Sequence, residues 1–242
     1  MRLKEHLIRL FRPQKLITKF DTISIGTMFI GHFAVAYAII YLFPGVPPLV
    51  PLIGVSFPDL LWPFFILAGA EKVTINPETP LQKAIAFTYY PYSHSLLIGT
   101  LIACIPGVMI AFLVNATAGG VFVIASASHW ALDTIVHRED LPVLGLKKDR
   151  LVGWGLWNYG RVAFVSEFVF YIIITVLTVP GDIILPLLAI GTIFHLINAN
   201  SFFGFTKKNP FKTSRAYAIT ALTGFLAFIL LANYVFSRML LT

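Results

Sequence analysis

Charge is what this sequence has least of. Asp, Glu, Lys and Arg make up 12% of its 242 residues, against roughly 25% in an average soluble domain. That scarcity excludes a solvated globular surface of ordinary size. Only 11 residues are acidic, so each carboxylate in an apolar setting calls for a reason. A single cysteine, Cys104, excludes an internal disulfide, and a thiol within an apolar run is usually inert. No internal repeat, low-complexity tract or second domain is visible, which counts against a transporter built from duplicated halves.

What is present is apolar sequence, 57% of the chain, with a mean hydropathy of +0.83. Runs long enough to cross a hydrocarbon core of ~30 Å fall at 23–43, 50–69, 95–114, 118–137, 162–180, 183–199 and 216–236. They predict an all-α polytopic membrane bundle of about seven transmembrane helices. Residues 23–242 form one transmembrane domain, with a polar metal-site region over 28–140. Residues 1–22 form a cytoplasmic segment in which Leu3, Leu7, Leu10 and Phe11 oppose Arg2, Glu5, Arg9 and Arg12 before Pro13. This reads as a short amphipathic helix on the membrane surface, or else a solvated basic tail. Ala36-Tyr37-Ala38 has the form of a cleavage site, but the apolar run continues through it, so no cleaved signal peptide is expected.

The net charge of +7 could suggest nucleic acid, but its placement argues for membrane orientation. With the N-terminus in the cytoplasm, seventeen of the eighteen Lys and Arg residues share one side, and only Arg238 falls on the other. The positive-inside rule predicts that asymmetry. Expected partners are membrane lipids, not nucleic acid, and the expected location is the cell (inner) membrane.

Against this background His32, Asp59, His94, His129, Asp133 and Glu167 stand out, because each lies at or inside an apolar run. His129, Asp133 and His137 recur every four residues, which stacks them on one helix face with a drift of about 40° per step. From helical rise they lie about 12, 6 and 0 Å from the cytoplasmic end of their span. His94 opens the third span at that surface, Glu167 sits about one and a half turns into the fifth, and His32 and Asp59 lie about 14 Å deep. Five helices thus aim ionisable groups at one half of the membrane.

Magnitudes favour a metal. A carboxylate near mid-helix costs roughly 2.5–3.5 kcal/mol, so Asp59, Asp133 and Glu167 together cost on the order of 8–10 kcal/mol. Interhelical polar contacts return only ~0.6 kcal/mol each, whereas a structural zinc returns ~10–16 kcal/mol in small peptides. A water-filled pocket is the other solution. Blander readings exist for individual residues: Asp59 could cap a helix broken at Pro58, His94 and His137 could be interfacial, and Glu167 could pair with Arg161 or Asn158. His195, near the basic 200–215 loop, reads as structural.

Gly31-His32, Pro58-Asp59, Ser93-His94-Ser95 and His129-x-x-x-Asp133, in that order, resemble the family of bacterial inner-membrane metal-dependent hydrolases once described as LexA-binding. The resemblance covers roughly residues 28–140. A remoter similarity is to zinc-dependent phospholipase C and the P1-type nucleases. The resemblance implies that Asp59, His94, His129 and Asp133 ligate one divalent metal, with His32 completing the site or binding a second ion. Zinc is the first choice, manganese or iron the alternatives. His137 and Glu167 are looser candidates. The chain departs from the family in having Leu60-Leu61-Trp62 where many members carry a second aspartate. It has Tyr90-Pro91-Tyr92 where many carry an arginine, and no His-x-x-x-Glu pair.

The function expected from these readings is a membrane-embedded metal-dependent hydrolase facing the cytoplasmic leaflet, acting on a phosphoester such as a lipid headgroup. Asp59 is the candidate general base, and Lys147, Lys148 and Arg150 could hold a phosphorylated headgroup. A small transporter with an intramembrane ion or proton path, or a non-catalytic scaffold, are the alternatives.

Overall fold

Long apolar runs punctuated by Pro, Asn and Gly fold as helices joined alternately by short and long links. The computed structural model describes residues 29–76, 78, 85–206 and 208–239. Within them are α1 (Ile30–Leu42), α2 (Leu49–Ala68), α3 (Leu96–Leu113), α4 (Ala116–Val136), α5 (Gly160–Thr178), α6 (Gly181–Phe203) and α7 (Ser214–Met239). All except α1 are long and apolar enough to cross a membrane. The chain is an all-α, multi-pass membrane bundle, and the six longer helices begin and end within a few residues of the runs read from sequence. The amphipathic reading over residues 2–12, and residues 23–28 of the first predicted span, lie outside the described residues.

Local chemistry explains the boundaries. Pro48 and Pro180 precede α2 and α6, where a missing N–H costs nothing. The Asn115 side chain accepts from Ala118 N at 2.8 Å and caps α4. At the far end of α2 the chain turns through Gly69 at φ +76°, a conformation that suits glycine. Ala70 and Glu71 N–H groups then close back on the Phe65 carbonyl at 2.8 and 3.1 Å.

Pro58 does not end a helix for Asp59 to cap, because α2 continues through both Pro58 and Pro63. Both prolines are buried, and tertiary burial outweighs the lost backbone bonds. The long links also hold structure that no apolar run announces. Two antiparallel hairpins occupy them, β1 (Lys72–Ile75) with β2 (Ile85–Tyr89), and β3 (Leu141–Pro142) with β4 (Leu151–Val152).

The core centres on α1, whose Ile30, Phe33, Ala34, Ala36 and Tyr37 are all fully buried. A helix apolar on every face belongs inside a bundle. By contrast α3 is peripheral, with Leu101, Ile105 and Phe112 exposed as a lipid-facing stripe. Helices α2 and α4 meet closely at Gly54, where an added Cβ would stand 2.7 Å from Ala125 Cβ and 3.0 Å from the Phe122 carbonyl. Small residues at such crossings let helix backbones approach. From this crossing, Asp59 lies five residues along α2 and His129 four along α4. That juxtaposition builds the site.

Candidate metal centre

Asp133 is the hub. Its Oδ1 lies 3.3 Å from His32 Nε2, and its Oδ2 lies 3.2 Å from His129 Nε2, 3.6 Å from His137 Nε2 and 4.0 Å from His94 Nε2. Asp59 closes the opposite side, with Oδ1 3.4 Å from His94 Nε2 and Oδ2 3.9 Å from His129 Nε2. All six residues are buried. They come from α1 (His32), α2 (Asp59), the residue before the Ser95 cap of α3 (His94), and α4 with its C-cap (His129, Asp133 and His137).

Hydrogen bonds from the other ring nitrogen orient His129 and His137. His129 Nδ1 donates to the Val55 carbonyl at 2.7 Å; a carbonyl can only accept, so the proton is on Nδ1. His137 Nδ1 donates to Asp140 Oδ1 at 3.0 Å. In both rings Nε2 therefore faces the carboxylates, and a positive partner, a proton or a metal ion, must lie between them. His129 Nε2 is buried and has no hydrogen-bond partner among the described residues. Stacking adds further constraint: the His32 and His129 rings are 3.7 Å apart and 9° from parallel, and Trp157 lies 4.3 Å from His137.

The donor set suits a divalent cation. Metal–ligand bonds of about 2.0–2.1 Å in a tetrahedral site give ligand edges of about 3.3–3.4 Å, within the range of the His–Asp separations here. Two overlapping trios, His32/Asp59/His129 and His94/His129/Asp133, have their donor atoms within 4.8 Å of one another. These buried groups could hold a metal ion. No family model, curated protein or solved structure matches this chain.

The remaining sequence candidates lie elsewhere. Glu167 Oε1 accepts from the Phe29 and Gly31 N–H groups at 2.6 and 3.1 Å, so its carboxylate holds the start of α1, the helix that carries His32. His195 stacks on Phe164 at 3.8 Å and donates through Nε2 to the Phe164 carbonyl at 3.1 Å. Cys104 is half-buried on α3. Lys147, Lys148 and Arg150 are exposed in the β3–β4 hairpin, whose turn is held by Leu144 and Gly145 N–H groups donating to Asp149 Oδ2.

Sequence reasoning passed over several supporting groups. Trp62 Nε1 donates to Asp59 Oδ1 at 3.2 Å, and its position three residues after Asp59 was the available signal. Asp140 orients His137 from three residues downstream. A cavity of about 840 Å³ lies at the other end of the bundle around the Pro44–Pro48 link and Phe236, and neither histidine nor carboxylate lines it. It has no part in this chemistry.

Proposed function

We propose that this protein is a membrane-embedded, metal-dependent phosphoester hydrolase whose site opens to the cytoplasmic leaflet of the inner membrane. The observation that carries the proposal is the convergence of His94, His129 and His137 Nε2 on Asp133 Oδ2 within 3.2–4.0 Å. The resemblance of residues 28–140 to membrane metal-dependent hydrolases points the same way.

Asp133, His129, His94 and Asp59 would hold the ion, with His32 and His137 at its edge. When bound, zinc or a similar cation supplies Lewis acidity toward water and charge for the phosphoryl oxygens. Asp59 orients the attacking water and accepts its proton, while Trp62 fixes the carboxylate. His137, aligned by Asp140, is placed to return a proton to the leaving oxygen. Exposed Lys147, Lys148 and Arg150 attract the phosphate, and exposed Trp154 and Tyr159 suit the headgroup level. A crevice of about 160 Å³ lined by Leu132, Val136, Trp157 and Phe170, with Ser166 and Glu167 as its polar members, adjoins His137 through Trp157, and its mostly apolar walls suit part of an acyl chain. Phe33, Leu52 and Tyr37 fill the bundle beyond the cluster, which weighs against a continuous ion path.

The test is metal content by plasma mass spectrometry on detergent-purified full-length protein, beside Asp133→Ala and His129→Ala. Hydrolysis is assayed with a chromogenic phosphodiester and with vesicles containing phosphatidic acid. About one or two equivalents of metal, lost in both variants together with hydrolysis, support the proposal. Absence of stoichiometric metal in the wild type after supplementation overturns it.

A further inference from the structure

Glu71 is nearly as buried as the cluster itself, 2% exposed, yet it touches none of the six cluster residues. Its position is fixed at both ends. The main chain is tied to the Phe65 carbonyl at the close of α2, and the carboxylate grips the segment leading into α3. Oε1 accepts from the Tyr92 and Ser93 N–H groups, both at 2.8 Å. Oε2 accepts from the Ser93 hydroxyl at 2.7 Å. The same hydroxyl lies 2.8 Å from His94 Nδ1.

A hydroxyl has one proton to give. With that proton directed to the Glu71 carboxylate, Ser93 Oγ can meet His94 Nδ1 only as an acceptor. Nδ1 therefore carries the ring proton, and Nε2 presents its lone pair toward Asp59 and Asp133, at 3.4 and 4.0 Å. We infer that Glu71 is a positioning residue which, through Ser93, fixes the His94 tautomer so that Nε2 is the metal-facing nitrogen. The inference builds on the metal reading above, but its first observable needs no metal. Partners that set the tautomer of a ligating histidine typically govern metal affinity by 10–100-fold.

Replacing Glu71 by Gln reverses the relay without changing its shape. The two backbone N–H groups require the amide oxygen at the Oε1 position, so the amide nitrogen takes the Oε2 position and donates to Ser93 Oγ. The hydroxyl proton then turns to His94 Nδ1, and the ring proton moves to Nε2, where it blocks ligation.

The experiment uses full-length, metal-free protein in detergent with 15N-labelled histidine rings, the His94 signal being assigned by its loss in His94→Gln. The wild type is expected to show a protonated Nδ1, and Glu71→Gln an unprotonated Nδ1 with the ring proton on Nε2. Ser93→Ala is expected to show a mixture, while Ser93→Thr, which keeps the hydroxyl, retains the wild-type state. Zinc affinity, measured separately by chelator competition, falls about 10–100-fold in Glu71→Gln. An unchanged His94 tautomer in Glu71→Gln overturns the inference. If that variant does not fold, identical His94 spectra for Ser93→Ala and Ser93→Thr overturn it instead. A tautomer switch in a protein that binds no zinc sustains the relay and removes the metal reading.

Discussion

The ring of His32 lies flat against the ring of His129, and the two send Nε2 to different oxygens of Asp133, at 3.3 and 3.2 Å. His129 also faces Asp59, at 3.9 Å. His129→Gln is therefore expected to weaken zinc binding more than His32→Gln, for which a loss of about 10–100-fold is expected. Chelator competition on the two variants checks the order.

Chelation should destabilise the wild type. A ligand held at about a thousand times its Kd adds about 4 kcal/mol to stability. Thermal unfolding in detergent is expected to move upward with zinc and downward with chelator. In Asp133→Ala, which lacks the hub, the two curves should coincide.

Asp59 and Asp133 are expected to fail differently. Asp59→Asn keeps an oxygen for Trp62 and the cation but loses the base, so it should retain metal while hydrolysis falls by about 10²–10⁴. Asp133→Asn should lose both. Parallel metal content and turnover measurements separate the two roles.

Glu167→Ala leaves the Phe29 and Gly31 N–H groups without their buried acceptor, at a cost of about 1–3 kcal/mol. The variant is expected to melt lower while zinc stoichiometry stays at the wild-type value. A loss of metal at unchanged stability would instead place Glu167 among the ligands.

The Glu71 relay predicts a pH signature. Burial pushes the Glu71 carboxyl above its ordinary value, against the opposing pull of its bonds from Ser93. At high pH the carboxylate accepts from Ser93 and the relay runs toward the metal-ready tautomer. As pH falls through the raised pKa, Oε2 gains a proton, donates to Ser93 and mimics Gln. The ratio of wild-type to Glu71→Gln zinc affinity should therefore be large near neutrality and shrink as the solution is acidified through the raised Glu71 pKa. Titrating both proteins across that range checks the sign.

The helices were legible because long apolar runs leave the backbone no other way to satisfy its polar groups in lipid. The face shared by His129, Asp133 and His137 was legible for the same geometric reason, a four-residue repeat. What helical rise cannot give is azimuth. Glu167 lies at a depth compatible with the cluster, yet its carboxylate turns to main-chain amides of α1. The charged neighbours of His137 left its sequence reading open between the surface and the site, and in the fold its ring is buried and bonded to Asp140. Glu71 carries no periodic signal at all. It stands in a link, twenty-two residues before the serine it holds, and only the folded hairpin end brings the two together.

The order in which the chain is synthesised gives the cluster a further meaning. His32 is made about a hundred residues before His129 and Asp133, and Asp59 and His94 arrive between them. During insertion the early helices carry polar side chains whose partners have not yet left the ribosome. The pocket exists only once α4 has packed against α2 at Gly54. Its completion thus marks the moment at which the first four helices have assembled in their correct order.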